Sequence, residues 1–399
     1  MRAKVIVVLM FLVFSVSTAL AGTETVLYSF AGGTDGSQPY HAGVVFDQSG
    51  NLYGVTEYGG LYGNGTVFQL VPSPGGGWTE NILYSFTGGS DGANPLGGLV
   101  IDGSGNVYGT AWGGGIYGCG VVFQLSPSQG GWTYSVLYAF TGNDDGESPQ
   151  GDLMWYGPTE IVGTTYAAGW QCGIGNGTVF IVSTSGTFLH VGCFKKGGSE
   201  APDGVGPCSG WGGEGYICGT SPIGGKYGAG SLFRWHWGEK SAATMFTFKW
   251  SGKYGHYPLG DLTPNAEGVL FGTTAWGGVG DDGTVYQLTG SLSYRIAVVH
   301  SFPSANGDGA WPNAGVILDA AGNVYGTTAG GGSASGGTVF KLTPGAKNKW
   351  NETVLYNFSG GADGGVPTGA LIFDSAGNIY GTTWQGGAYG QGTVYMVTP

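Results

Sequence analysis

The chain is 399 residues long, with 13 Lys or Arg against 25 Asp or Glu, a formal net charge of −12, and 41% hydrophobic and 14% aromatic residues. Beyond residue 21 every cation lies at position 195 or later, and residues 22–194 hold twelve acids. Such a surface argues against nucleic acid and anionic membranes, which bind through Lys and Arg, and leaves cations, neutral glycans, basic proteins or plain solubilisation. Glycine and proline, 86 and 17 residues, approach the low-complexity range, but the apolar content supplies a core and excludes a disordered chain.

Arg2 and Lys4 precede an apolar run over 5–20 that closes on Ala19-Leu20-Ala21. The run is short for a span of ~20 residues, and residues 1–21 read as a cleaved export signal with no membrane span after cleavage. Gly22 stands where a lipoprotein would carry Cys.

Residues 22–399 then repeat one phrase seven times. It is clearest at Leu52-Tyr53-Gly54, Val107-Tyr108-Gly109, Val324-Tyr325-Gly326 and Ile379-Tyr380-Gly381, and weaker around Gly163, Gly219 and Gly272. The glycines are spaced 55, 54, 56, 53, 54 and 55 residues apart. A period of that regularity means stacked or radial units. In the type unit, 95–102 reads as a first strand, 106–111 as a second, 121–125 as a third and 135–140 as a fourth, with glycine-rich turns between them. Residues 136–140 are apolar on both sides, as in a strand covered on both faces. Seven such sheets arranged radially make an all-β, seven-bladed β-propeller of four-stranded antiparallel blades, a single domain over 22–399. A linear solenoid would need shorter coils and capping ends. Residues 24–30 match a fourth strand and 392–397 a third, so the N-terminal strand is expected to complete the last blade and close the ring.

The strand 81–86, the loop 88–92 with Pro95, the run 105–110 and Gly65-Thr66-Val67-Phe68 together resemble the GloVer-type tandem-repeat family of exported bacterial proteins. The resemblance covers essentially all of 22–399 and implies an exported or surface protein of no established activity. Relatives of that type often end in an anchoring segment; this chain stops at Pro399 directly after a strand, which favours secretion, extracellular or periplasmic, over attachment.

Five cysteines stand at 119, 172, 193, 208 and 218. Cys208 and Cys218 fall near opposing positions of one hairpin and are the expected disulfide. No CxxC or HxxxH spacing points to a metal.

The fourth-to-first and second-to-third connections of such blades share one face. The former carry Asp35, Asp91, Asp145 beside Asp144, Asp308 and Asp363; the latter carry Tyr58, Trp112, Tyr166, Trp276 and Trp384. Two readings of the aspartates stand: local turn caps bonding backbone N–H groups two residues on, or a ring of carboxylates facing a central opening and able to hold Ca²⁺, the one cofactor in view. The aromatics either pack on neighbouring blades or offer platforms for sugar rings. On the opposite face Asp47, Asp102, Asp319 and Asp374 precede Gly-Asn pairs and organise hairpins.

Catalytic signals are thin, and no catalytic residue is assigned. His41, His190, His236, His256 and His300 are scattered, none with a carboxylate or serine at a motif spacing; His41 and His256 fall near first-strand entrances on the richer face. Residues 195–258 keep one Asp-Gly pair at 203–204, gather Lys195, Lys196, Lys226, Arg234, Lys240, Lys249 and Lys253, and carry Trp211, Trp235, Trp237 and Trp250. That stretch is either drift compensated by a disulfide or a docking patch. The expectation is a secreted binding or scaffold protein for carbohydrate or a cell-surface component. A glycan-active lyase or hydrolase with an axial site and a purely structural surface protein are the alternatives.

Overall fold

The computed structural model describes residues 22–399 apart from 42, 169–175, 195–198, 209–214, 291–292, 304 and 306. The expected export signal, Cys172, Lys195, Lys196 and Trp211 lie outside the described residues. Seven antiparallel sheets follow one another around a ring. The first blade is built from Val45–Phe46, Leu52–Thr56, Thr66–Pro72 and Trp78–Ser85, and the pattern recurs to the last blade, Ile372–Phe373, Ile379–Thr383 and Thr393–Thr398. The seventh blade takes its fourth strand from Thr23–Ser29, which pairs antiparallel with Thr393–Thr398 from Thr23↔Thr398 to Ser29↔Thr393. The ring is closed by the N-terminal strand.

Strand lengths differ from expectation in a consistent way. The first strand of the second blade pairs only over Val100–Ile101, because the backbone at Gly97 runs against the Gly151 carbonyl of the next blade rather than along its own second strand. The third and fourth strands are longer than expected, Val121–Ser128 and Gly131–Ala139, and pair out to Ser128↔Gly131. The expected loop over 126–134 is therefore mostly hairpin, turning at Gln129-Gly130.

The glycine of the repeated phrase has one job in all seven blades. It lies directly opposite an aromatic residue of the third strand: Phe68, Phe123, Phe180, Phe233, Tyr286, Phe340 and Tyr395 face Gly54, Gly109, Gly163, Gly219, Gly272, Gly326 and Gly381. The ring folds back over that glycine, and a Cβ on Gly54 would lie 2.5 Å from Phe68 Cζ. The same ring then meets the phenylalanine that ends the fourth strand of the preceding blade. These partners are Phe30, Phe86, Phe140, Phe194, Phe248, Phe302 and Phe358, with ring centroids 4.7 to 5.5 Å apart. All seven phenylalanines are buried.

Two smaller devices repeat beside it. In five blades a threonine ending the second strand bonds a threonine opening the third, as at Thr56 and Thr66, 2.8 Å. Each third strand is preceded by a glycine at positive φ, from Gly65 to Gly392, and the ring of a proline of the following blade covers it, Pro95 in the first case and Pro39 in the last.

Gly54→Ala should lose about 1–3 kcal/mol of stability through overpacking against Phe68, read as a lower midpoint in urea. Gly103→Ala, where a Cβ meets nothing within 4 Å, should leave it unchanged. Removing residues 22–29 should strip the seventh blade of its fourth strand and expose the Thr393–Thr398 edge. The expected result in size-exclusion chromatography is aggregate or unfolded chain; a monomer of unaltered melting temperature would contradict the closure.

Candidate functional site

The aspartates of the fourth-to-first loops do not ring the axis. Asp35, Asp91, Asp145 and Asp363 are tied back to the outermost strand, each accepting a tyrosine hydroxyl from seven residues earlier, Tyr28, Tyr84, Tyr138 and Tyr356, at 2.8 to 3.1 Å. The backbone N–H they accept lies four residues earlier, at Ala31, Thr87, Thr141 and Ser359, rather than two residues on. Asp308 occupies the same place and meets His300 instead. On the opposite face Asp47 accepts the Ser49 and Asn51 N–H groups, the Asn51 amide and the Tyr53 hydroxyl, and Asp102, Asp319 and Asp374 repeat the arrangement. Burial pushes these four carboxyls up, but the bonds from the asparagine and backbone outweigh it and hold them below their usual range. The tyrosine of the repeated phrase is thus a hairpin brace.

What surrounds the axis follows the seven repeated prolines. The next residues inward are Tyr40, Leu96, Gln150, Asp203, Leu259, Asn313 and Thr368. They open into a funnel of about 500 Å³ whose wall includes Tyr40, Tyr166, Tyr257, Trp276 and Trp311. Below it lies a constriction of about 20 Å³, lined by His41, Asp152, Asp203, Asp261, Asn313 and Thr368 among others. Asp152 accepts the Gly98 N–H, Asp203 the Gly260 N–H at 2.9 Å, and Asp261 the Val205 N–H at 2.9 Å, so each carboxylate ties one blade to a neighbour. Burial, opposed by the Gly98 N–H and reinforced by Asp203, pushes Asp152 up to about 6. Burial, then Asp152 and Asp203, hold Asp261 well above the carboxylate range. Burial lowers His41, with Asp203 opposing. No Lys or Arg stands among the described lining residues.

Tyr257 and Trp311 reach the wall through a recurring backbone strain. The residue before each of the seven prolines, Gln38, Asn94, Ser148, Ala201, Tyr257, Trp311 and Val366, has φ between 50° and 62°. Its N–H bonds a carbonyl of the preceding blade, as from Tyr257 to Ala229 and from Trp311 to Asp282, which offsets the strain.

Of the five expected aromatics, Tyr166 and Trp276 line the funnel. Trp384 is half-buried with its ring 5.4 Å from Tyr40. Tyr58 and Trp112 are 42% and 43% exposed but are not part of its wall. Offset from the end of the second strand's pairing does not sort them: Trp112, Tyr166 and Trp384 follow it immediately, and Tyr58 and Trp276 one residue later. His41 lines the channel; His256 stands away from it, its ring 5.0 Å from Trp250.

With this geometry in place, comparison places the sequence. It matches the Gloeobacter/Verrucomicrobia repeat over residues 12–210 and 205–399. The chain belongs to that repeat family. No curated protein matches it. Among solved structures it is similar to a putative 6-phosphogluconolactonase from Bacteroides uniformis, at 14% identity and TM-score 0.51 over 83% of this chain and 88% of that one. It is also similar to a hypothetical selenium-binding protein from Sulfolobus tokodaii, at 11% identity and TM-score 0.50 over 76% and 74%. Likeness at that identity shows the propeller fold alone.

Within this member of the repeat family, several site residues escape a reading of the sequence. Asp203 is not a turn aspartate: it follows Pro202, whereas the loop aspartates precede their prolines by four residues, and it lies on the axis. Asp152 and Asp261 share the signal Pro-x-Gly-Asp at 149–152 and 258–261. The tips of the second-to-third loops expose Tyr62, Tyr117, Tyr227 and Tyr389, at 40% to 64%, each preceded by a Gly-x pair. In the degraded stretch Cys208 and Cys218 are disulfide-bonded, with Cα atoms 5.2 Å apart. Around Tyr227 the Lys249 and Lys226 ammonium groups stand 4.9 and 5.4 Å from the ring, at the edge of a groove of about 520 Å³ that also holds Lys253 and Tyr254.

The tied aspartates also join blades. Glu80 of the first blade meets Asp35, and burial followed by Asp35 pushes it up to about 8; Glu24 meets Asp363 and Tyr356, and burial followed by Asp363 pushes it up to about 7. Acids raised on folding stabilise below their unfolded pKa and lose that contribution as pH rises through the folded one. The lowered aspartates act oppositely, below about pH 4. The melting temperature should therefore peak near pH 5 and fall towards pH 8.5. Glu80→Gln, whose amide mimics the protonated acid, should flatten the fall by about 1–3 °C at pH 8.5 in a calorimetric series; an unchanged slope would contradict the pairing.

Proposed function

We propose that this propeller is an exported binding module whose axial funnel receives a neutral or cationic sugar unit of a glycan, with residues 1–21 serving export. One observation carries the reading: the funnel is walled by Tyr40, Tyr166, Tyr257, Trp276 and Trp311 and floored by carboxylates. Aromatic faces stack on the apolar faces of sugar rings, and half-buried carboxyls and amides such as Asp203, Gln150 and Asn313 orient hydroxyls. The volume suits one or two sugar units. A phosphorylated ligand, such as the name of the similar putative lactonase suggests, is a poor match to walls with acids and no Lys or Arg among the described residues.

A glycan array followed by calorimetry tests the reading. Trp311→Ala and Tyr166→Ala should each weaken binding about tenfold or more, with the far-ultraviolet spectrum unchanged, while Trp112→Ala, outside the funnel, should not. Absence of binding across neutral and amino-sugar glycans would leave a structural role and sink the proposal.

A second reading rests on Asp152 and Asp261, both raised beside Asp203. A carboxyl held above its ordinary pKa beside a second carboxyl is the arrangement of acid–base hydrolysis. Turnover of a bound glycan that disappears in Asp261→Asn would favour it over simple binding.

A further inference from the structure

Away from the axis, three side chains from three separate segments converge between the fifth and sixth blades. His300 lies on the fourth strand of the fifth blade, Arg295–Ser301; Asp308 is in the loop that follows; Glu352 lies on the fourth strand of the sixth, Trp350–Asn357. His300 Nε2 is 3.2 Å from Asp308 Oδ2 and 3.6 Å from Glu352 Oε2, and one ligand atom of each residue lies within 4.8 Å of the others. Their side chains are 19%, 12% and 16% exposed, so an ion could reach them from solvent.

The repeat supplies its own comparison. Two sister interfaces hold the same three positions as Tyr28, Asp35 and Glu80, and as Tyr356, Asp363 and Glu24. There a phenol donates to the aspartate and keeps its proton, since burial first, with the carboxylates adding to it, raises both tyrosines above their ordinary range. A protonated phenol is a much weaker metal ligand than an imidazole nitrogen. At this one interface imidazole replaces phenol and brings a nitrogen lone pair to two carboxylates. Glu352 Oε1 is buried without a hydrogen-bond partner, as are Glu80 Oε1 and Glu24 Oε1 at the sister interfaces, so the imidazole is what sets this seam apart. One imidazole nitrogen with two carboxylate oxygens and an open fourth position suits Zn²⁺ and related divalent transition ions.

We propose that His300, Asp308 and Glu352 bind a divalent transition-metal ion of the Zn²⁺ type that cross-links the fifth and sixth blades. Such an ion neutralises two carboxylates held together in a half-buried seam, and it stabilises the folded ring by mass action because only folding brings Glu352 to His300 and Asp308. The site is independent of the axial funnel and of any glycan bound there.

The test uses the full chain freed of chelator and of any histidine tag. Saturating Zn²⁺ should raise the melting temperature by about 2–4 °C, and Co²⁺ should give visible d–d absorption that Zn²⁺ displaces. His300→Tyr restores the residue that the sister interfaces use, so it should fold, yet it should lose both responses. Glu352→Gln, a second variant that keeps the imidazole, should weaken Co²⁺ binding at least about tenfold. No shift and no Co²⁺ spectrum in the unaltered protein, or an equal response in His300→Tyr, would overturn the proposal.

Discussion

The ring depends on one contact made seven times: an aromatic ring of the third strand lying over the glycine opposite it and against the terminal phenylalanine of the blade before. Each ring therefore works at two levels. Within the blade it fills the gap that a glycine leaves in a strand and fixes the pairing register, since a slip of one residue would drive a Cβ into it. Between blades it sets how closely two sheets approach, because the edge-on pair holds their facing residues at ring-contact distance. One such ring, one glycine and one terminal phenylalanine recur in every repeat. Tyr286 and Tyr395 take the same place as phenylalanine elsewhere, at the cost of hydroxyls buried without a partner.

Much of this was legible in the sequence because scaffold requirements recur. The number of blades, the ring closure, and the hairpins built on Asp47, Asp102, Asp319 and Asp374 all rest on repeated spacings, and the geometry agrees with them. The role of the glycine was legible only in part. Its spacing marked the repeat, but the facing ring of its own blade that lies over it did not show in the sequence. The loop aspartates illustrate a different limit. Their spacing from glycine suggested a turn cap, but not the tyrosine seven residues earlier that draws them outward, since that contact depends on how the outer strand ends.

The candidate site was less legible because the residues that form it come from seven distant segments and, although each follows its repeat's proline, share no residue type. His300, Asp308 and Glu352 show this within one seam: eight residues separate the first two, and the third lies a blade away. Asp203 shows it on the axis, where its neighbour glycine made it look like a turn residue although its offset from Pro202 differs from that of every loop aspartate. Burial and mutual repulsion at the axis are properties of convergence, and only the closed ring creates them.

Repetition itself offers a way to separate scaffold from site. At the positions that build the blade, the seven copies hold nearly the same residue: glycine under the ring, phenylalanine at the strand end, proline at the inner turn. One position beyond that proline the copies hold Tyr40, Leu96, Gln150, Asp203, Leu259, Asn313 and Thr368, which differ in size, polarity and charge although their backbone surroundings are alike. A scaffold position would not tolerate such a spread, because equivalent packing calls for equivalent side chains. The spread breaks the seven-fold symmetry where the blades meet at the axis, turning a symmetric opening into a funnel in which one carboxylate, Asp203, stands among apolar and neutral polar neighbours. A symmetric pore would present one chemistry in all directions; an asymmetric one can orient an asymmetric ligand, which is why the proposed recognition is assigned to the axis rather than to the repeated loops.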